Sequence, residues 1–448
     1  MNQVVQREQW GSRAGFILAS LGGAVGLGNI WRFSYVAGEN GGGAFLLVYL
    51  VFVVALGLPL LLAELAIGRQ AQTDVVDAFG KLGGSGKWRV AGAVAMIAAL
   101  VILSYYAVVA GWAYKYLADY VFGRPSGLTQ AALAADFRAF QARAPEVIGW
   151  QFAVLASTVV VVVLAGVQQG IERVNKLLMP LLALVVLGLA GYSLLLEGGG
   201  DGLRFLFAPD WSALMHPQVY VAALGQALFS IGVGLGVLIT YGSYMSRSTR
   251  AAPSALIIVG GDTLFAIVAG IAIFPAVFAF GIDPAQGPAL AFVTLPQVFA
   301  KMPGGAWFGL AFFLLLSVAA LTSAVSLLEV PVAFAVARFG ISRRTAALSI
   351  GAAVFLAGVP SALGSGPWAD VRLFGMPILS AVDHLASNIL LPLGGLMLAI
   401  FTGWVWSREK ALEAASLGAT ALGRLWLFSL RYVCPICIVI IVLRSILK

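Results

Sequence analysis

Eleven apolar segments, at about residues 13–38, 43–70, 88–122, 150–167, 174–196, 217–245, 252–281, 304–338, 343–360, 377–407 and 425–446, follow one another along this chain. Crossing the hydrocarbon core of a bilayer takes roughly 20 predominantly apolar residues in a helix. A soluble alternative fails on charge: only 10 % of the 448 residues are Asp, Glu, Lys or Arg, against 61 % hydrophobic. That is too little ionised surface to cover a globule of this size. The expected fold is therefore an all-α integral membrane protein of about 11 transmembrane helices, because helices satisfy their own backbone groups in lipid.

Net charge is +8, but the 27 Lys and Arg residues fall mostly in short connections between apolar segments. There they set topology and do not form a nucleic-acid surface, so no nucleic-acid partner is expected. Counted loop by loop, they concentrate on the side of the N-terminus, which predicts a cytoplasmic N-terminus and, with an odd number of spans, a C-terminus on the opposite side. The first ten residues are polar and the apolar run after Arg13 outlasts a signal-peptide core, so no cleavable leader is expected. Cys434 and Cys437 lie in an apolar run without polar company and are expected to be packed or lipid-facing thiols. The connections 123–149 and 197–216 read as amphipathic or polar. The Pro/Gly-broken stretch 282–303 is expected to fold back as a lid.

Glycine gives the finer pattern. Segment 1 carries Gly22, Gly23, Gly26 and Gly28, and segment 6 carries Gly232, Gly234 and Gly236, each cluster in mid-span. One glycine costs about 1 kcal/mol against alanine inside a helix, so clusters at the bilayer midplane point to irregular backbone. Close helix packing through small residues is the alternative, and Gly22/Gly26 has that spacing. Recurrence five segments apart favours an inverted repeat of five plus five helices with helices 1 and 6 broken at the midplane. A single transporter domain over 1–448 follows, with a first repeat at about 13–196, a second at about 217–407, and an extra helix at about 425–446. Freed carbonyls at such breaks coordinate a cation, and half-helix N-termini attract an anion. The polar residues within spans are Asn29, Ser230, Asp262, Thr322 and Ser323, hard-oxygen donors suited to an alkali cation. His216 and His384 lie near span ends. Asp262, ionisable at depth, is a functional candidate by its cost alone.

Several strings carry a resemblance: Trp10-Gly-Ser-Arg13 through Gly26-Leu-Gly28-Asn29-Ile-Trp-Arg32-Phe, Glu39-Asn-Gly-Gly-Gly-Ala-Phe45, Gly57-x-Pro59-x4-Glu64-x3-Gly68-Arg69, Gly170-Ile-Glu-Arg-x-Asn-Lys-x3-Pro180 and Thr240-Tyr-Gly-Ser-Tyr244. The chain resembles the neurotransmitter:sodium symporters of the leucine-transporter fold, in their bacterial amino-acid branch. The resemblance implies a sodium-coupled amino-acid symporter of the bacterial inner membrane working by alternating access, not an enzyme, as a monomer or homodimer in the lipid bilayer. A first sodium would be held by Ala24, Asn29, Ser230, Asp262 and the substrate carboxylate. A second would be held by Gly22, Val25, Ala319, Thr322 and Ser323. The substrate would contact Gly23, Ala24, Gly26, Gly28, Ile102, Tyr106, Phe229, Ser230, Gly232, Leu235, Ser323 and Leu327. Arg32 with Asp383 would form an outer ionic gate, and Arg7 with Trp10 an inner one.

The absence of a side chain at Gly26, where amine-transporting members carry an aspartate, implies an amino acid over an amine. The small or apolar pocket walls predict a hydrophobic or bulky L-amino acid; a taurine-like or γ-amino solute is the alternative. Two Na+ against one substrate carboxylate and Asp262 balance without chloride, which is therefore not expected to be required. A one-residue shift in the register of segment 7 would place Asp262 at the family's chloride position instead. Gly170 and Pro180 suit either an unwinding site in helix 5 or a plain start and kink. Glu64 and Glu329 are expected to brace helices. One departure concerns the inner gate: where the family offers an aspartate to the N-terminal arginine, this chain has Ala337-Arg338-Phe339, leaving Trp10 to close that side by packing.

Overall fold

The computed structural model describes residues 8–123, 129–284 and 290–446, apart from the side chains of 163–165, 441 and 444–446. Among the described residues, nine helices are continuous, long and apolar enough to cross a membrane. In chain order these are span 2 (Gly43–Ala71), span 3 (Gly86–Val121), span 4 (Ala144–Val162), span 5 (Gly166–Leu194), span 7 (Ala251–Ala279), span 8 (Gly305–Phe339), span 9 (Arg343–Leu363), span 10 (Ile378–Val405) and span 11 (Ala421–Ile440). Span 1 consists of Arg13–Ala24 and Gly28–Glu39, bent by 52° at the break. Span 6 consists of Pro217–Ile231 and Val237–Ser243, separated by Gly232–Gly236. Ten apolar segments of the sequence thus become spans among the described residues, the bent first one included, and the sixth becomes two helices separated by a glycine-rich break.

Boundaries follow local chemistry. Ser12 caps span 1 by accepting from the Gly15 N–H at 3.0 Å, and Ser342 caps span 9 by accepting from Thr345 at 3.1 Å. Span 4 begins earlier than the apolar run suggests, because Pro145 in the first helical turn is preorganised for helix and carries residues 144–149 into the span. The connection before it holds the helix Gln130–Ala142, capped by Thr129. Within 282–303, the described part folds back as expected. Helix Thr294–Lys301 is largely buried, and Phe292 stacks on Phe137 and meets Trp112 and Tyr116 edge-on.

Burial separates an inner from an outer set of helices. In their most apolar windows, span 8 is 72 % and span 3 is 67 % buried, whereas spans 4 and 5 are 33 % buried. Spans 3 and 8 pack along each other at the centre, and the second half of span 6 lies against span 2. The outer helices turn leucines outward, such as Leu184 and Leu187 on span 5 and Leu348 and Leu356 on span 9. In water that surface would aggregate; in lipid it is matched. Cys434 is buried and Cys437 half-buried, both as free thiols.

Both breaks leave backbone groups without helical partners. Span 1 stops when Val25 turns extended after Ala24, and it resumes through a π-helical turn at Gly28–Arg32. Span 6 stops because Gly232, Gly234 and Gly236 all adopt left-handed backbone, with φ of +68°, +87° and +71°, a region residues with a Cβ avoid. Glu64 of span 2 holds the second break open: its carboxylate accepts from the Gly234 N–H at 2.7 Å and the Leu238 N–H at 3.2 Å. A Cβ at Gly234 would sit 2.7 Å from the Leu391 carbonyl oxygen and 2.8 Å from the Gly395 nitrogen. Gly234→Val is therefore expected to lower the melting temperature of the detergent-solubilised protein by several degrees. Gly188→Ala, where nothing lies within 4 Å of the added Cβ, should leave it unchanged.

Candidate functional site

The two breaks face each other across a midplane cavity of about 50 Å3. Its wall comprises Ser20, Gly23, Ala24, Gly26, Leu27 and Gly28 from span 1, Ile102 and Tyr106 from span 3, Phe229, Ile231, Gly232, Leu235, Val237 and Leu238 from span 6, and Ser323 and Leu327 from span 8. Glycine is required where span 1 meets span 8: a Cβ on Gly26 would lie 2.4 Å from Ser323 Oγ and 3.2 Å from the Tyr106 hydroxyl. The Tyr106 hydroxyl accepts from the Leu27 N–H at 3.5 Å, so a phenol and an unwound backbone converge at one end of a chamber whose other walls are mostly apolar, Ser20 and Ser323 apart. That end suits a carboxylate, and the remainder suits an apolar side chain.

Beside this end lies the first oxygen cluster. Asn29 donates through Nδ2 to Asp262 Oδ1 at 2.7 Å and to Ser230 Oγ at 3.0 Å, and Ser230 donates to Asp262 Oδ2 at 2.8 Å. All three are buried. Asn29 Oδ1 accepts from the Gly26 N–H at 3.1 Å, tying the cluster to the break. Spans 1, 6 and 7 thus supply one carboxylate and two neutral polar groups at a single point, with Ala24 in the adjoining cavity wall.

The second cluster joins spans 1 and 8. Ser323 Oγ donates toward the carbonyls of Gly22 and Val25, at 3.4 Å each, and Thr322 Oγ1 donates to the Ala319 carbonyl at 3.0 Å. Ser323 with the carbonyls of Gly22 and Val25, and Thr322 with that of Ala319, are thus uncharged oxygen groups where spans 1 and 8 meet, of the kind a hard monovalent cation accepts.

Toward the face opposite the N-terminus, Phe229 and Arg32 separate the cavity from a vestibule of about 480 Å3 whose lining includes Arg32, Glu39, Gln218, His384 and Asn388. The Arg32 guanidinium lies 4.3 Å over the Phe229 ring, a cation–π lid. Asp383 accepts from Tyr105 at 2.7 Å and Ser387 at 3.0 Å. No direct ion pair joins Arg32 to Asp383, contrary to the expectation of a closed ionic gate. Asp383 is held by two hydroxyls, whereas Arg32, over the Phe229 ring, keeps its buried Nη1 without a hydrogen-bond partner.

The other side is sealed more heavily. Trp10 donates through Nε1 to the Tyr241 carbonyl at 2.9 Å and through its backbone N–H to the Tyr244 carbonyl at 3.2 Å, and packs edge-on against both tyrosine rings. Arg7 lies outside the described residues. The charges that close this face come from elsewhere. Arg343 at the start of span 9 pairs with buried Glu329 of span 8 and lies 3.8 Å from Glu8, while Tyr244 donates to Glu329 at 2.7 Å. Glu8 accepts from the Val167 N–H at 2.6 Å, Gln9 from Gln168 at 2.8 Å, and Glu172 from the Gly11 N–H at 2.7 Å and the Ser12 hydroxyl at 2.9 Å. Residues 8–12 are thereby stitched to Gly166–Glu172, the π-helical start of span 5 that contains Gly170.

Of the expected substrate contacts, Gly23, Ala24, Gly26, Gly28, Ile102, Tyr106, Phe229, Gly232, Leu235, Ser323 and Leu327 line the cavity, while Ser230 belongs to the first oxygen cluster alone. Ser20, Leu27, Ile231, Val237 and Leu238 were missed as wall residues, and Glu8, Glu172 and Arg343 as closing residues. A buried Glu329 demands a cation, and Arg343 is the first residue of the following helix, so that pair had a signal in the sequence.

The sequence profile of the Sodium:neurotransmitter symporter family matches residues 7–124 and 141–448. The sodium-dependent transporter YhdH of Bacillus subtilis is 38 % identical over 98 % of this chain and 97 % of its own. The sodium-dependent dopamine transporter of Bos taurus is 26 % identical over 98 % of this chain and 69 % of its own. The crystal structure of MhsT in complex with L-phenylalanine superposes with a TM-score of 0.92 at 50 % identity, covering 98 % of this chain and 100 % of that one. Broken spans 1 and 6 around a midplane cavity, oxygen clusters at the breaks, and a match over nearly the whole length agree: the chain belongs to the sodium:neurotransmitter symporter family.

Proposed function

We propose that this sodium-coupled symporter imports a hydrophobic or bulky L-amino acid across the bacterial inner membrane, with its N-terminus in the cytoplasm and its C-terminus in the periplasm. The observation that carries the reading is the division of the midplane cavity into a polar end, at Tyr106 and the span 1 break, and apolar walls at Ile102, Phe229, Leu235 and Leu327. That a 50 % identical transporter was crystallised with L-phenylalanine supports it. The substrate carboxylate rests at the polar end and completes the shell of a first Na+ held by Ala24, Asn29, Ser230 and Asp262. A second Na+ occupies the oxygens of Gly22, Val25, Ala319, Thr322 and Ser323. Because carboxylate and Na+ share a shell, each raises the affinity of the other, which is the coupling that symport needs.

The charges balance within the site: two cations meet one substrate carboxylate and Asp262, so no chloride is needed. The repeats, at about 13–196 and 217–407, rock against each other, with 425–446 outside the symmetry. Loading passes Phe229 and Arg32, which lie between the cavity and the vestibule; they withdraw into the vestibule and return once the substrate is seated.

Three outcomes are expected. Purified protein in liposomes accumulates labelled L-phenylalanine or L-leucine under an inward Na+ gradient and not under K+; uptake confined to taurine or γ-amino acids would replace the substrate assignment. Wild-type uptake is unchanged when gluconate replaces chloride, whereas Asp262→Asn loses at least tenfold in chloride-free medium. At the inner face, Arg343→Met strands the buried Glu329 carboxylate at a cost of about 3–5 kcal/mol. It lowers the melting temperature accordingly, and the double variant Arg343→Met/Glu329→Gln recovers most of the loss.

A further inference from the structure

Three hydroxyl-bearing side chains line the midplane cavity: Tyr106, Ser323 and Ser20. Two are occupied, Tyr106 by the Leu27 N–H and Ser323 by the carbonyls of Gly22 and Val25. Ser20 is 0 % exposed and its Oγ has no hydrogen-bond partner. A helical serine ordinarily donates to the carbonyl one turn back, as Ser34 does to Ile30, Thr240 to Gly236 and Ser254 to Arg250. Ser20 makes no such bond to Phe16. Leaving a buried hydroxyl unpaired costs stability, and Ser20 is part of the wall of the space a substrate fills.

Its position along the cavity indicates which part of the substrate it meets. Ser20 precedes Ala24 by one helical turn, about 6 Å along the axis, and the extended Val25 then leads to Gly26 and Leu27 at the carboxylate end. Together these place Ser20 up to about 10 Å from that end, the reach of an aromatic amino acid from its carboxylate to the far edge of its ring. Among the other residues of the same wall, Gly23, Val237 and Leu238 offer no side-chain polar group.

We propose that Ser20 is a specificity-determining residue: its hydroxyl pairs with a polar atom at the far end of the substrate side chain, so the transporter favours a tyrosine-like side chain over its unsubstituted counterpart. The inference rests on the assignment of a hydrophobic or bulky L-amino acid and narrows it. A chamber built around an unpaired hydroxyl discriminates against a substrate that leaves it unpaired, whereas a purely apolar chamber hardly distinguishes the two.

The test is competition against Na+-driven uptake of labelled L-phenylalanine in liposomes, with unlabelled L-tyrosine and L-phenylalanine as competitors. Wild type is expected to be inhibited by L-tyrosine at a several-fold lower concentration than by L-phenylalanine. Ser20→Ala should weaken L-tyrosine about tenfold, the worth of one buried hydrogen bond, and leave L-phenylalanine within twofold. Ser20→Cys, a near-isosteric weak donor, should give an intermediate ratio and stands in if the alanine variant folds poorly. An unchanged tyrosine-to-phenylalanine ratio in both variants, an equal loss for both substrates, or no preference in wild type would overturn the proposal. Absence of Na+-driven phenylalanine uptake in wild type would instead strike the underlying substrate assignment.

Discussion

A helix interrupted in mid-membrane exposes amides and carbonyls where no water reaches them, and the rest of this structure is arranged around answering those groups. Each unanswered group would cost several kcal/mol in hydrocarbon. Glu64 answers the Gly234 and Leu238 amides of span 6, Asn29 answers the Gly26 amide, and Gln226 donates to the Gly28 carbonyl at 2.9 Å. Glu64 and Gln226 are buried side chains of neighbouring spans, whereas Asn29 belongs to span 1 itself, so the repair of both breaks draws on the assembled bundle. At the span 1 break the carbonyls of Gly22 and Val25 meet the Ser323 hydroxyl, and under the proposed function these are among the groups that hold a cation.

Small residues make that arrangement possible. Span 1 passes so close to span 5 that a Cβ on Gly22 would lie 1.8 Å from Asn175 Oδ1, and so close to span 8 that one on Gly26 would strike Ser323. Glycine therefore serves two ends at once, close approach at Gly22 and Gly26 and left-handed backbone at Gly232, Gly234 and Gly236. The packing alternative considered for Gly22 and Gly26 is correct as far as it goes. It coexists with the break and is not a substitute for it.

Helix number, the two broken spans and the polar residues at the breaks were legible in the sequence because each imposes a cost in lipid that only a structural reason offsets. Asn29, Ser230 and Asp262 are far apart in the chain yet meet within hydrogen-bond distance, as expected for buried polar groups that must find one another. What was illegible depends on side-chain direction. No pattern distinguishes Ser20, whose hydroxyl is left over, from Ser34, whose hydroxyl returns to its own helix. Nor does the spacing of Arg32 and Asp383 reveal that each finds a neutral partner before finding the other. The start of span 4 was misplaced because the helix-starting role of Pro145 outweighs the polar character of residues 144–149.

The two faces are closed by different physics, and the difference bears on how the cycle runs. On the vestibule side the cation–π contact of Arg32 with Phe229 lies between the cavity and the vestibule. On the N-terminal side residues 8–12 hold the start of span 5 through several hydrogen bonds, and Arg343 ties span 8, span 9 and the N-terminal segment together. These contacts share partners, so losing one weakens the rest and the seal opens as a unit. The backbone they grip is π-helical, less strongly bonded than α-helix and hence the part of span 5 that yields at least cost. Under the proposed function, release on the N-terminal side would require the clamp and the start of span 5 to loosen together, because residues 8–12 bind both.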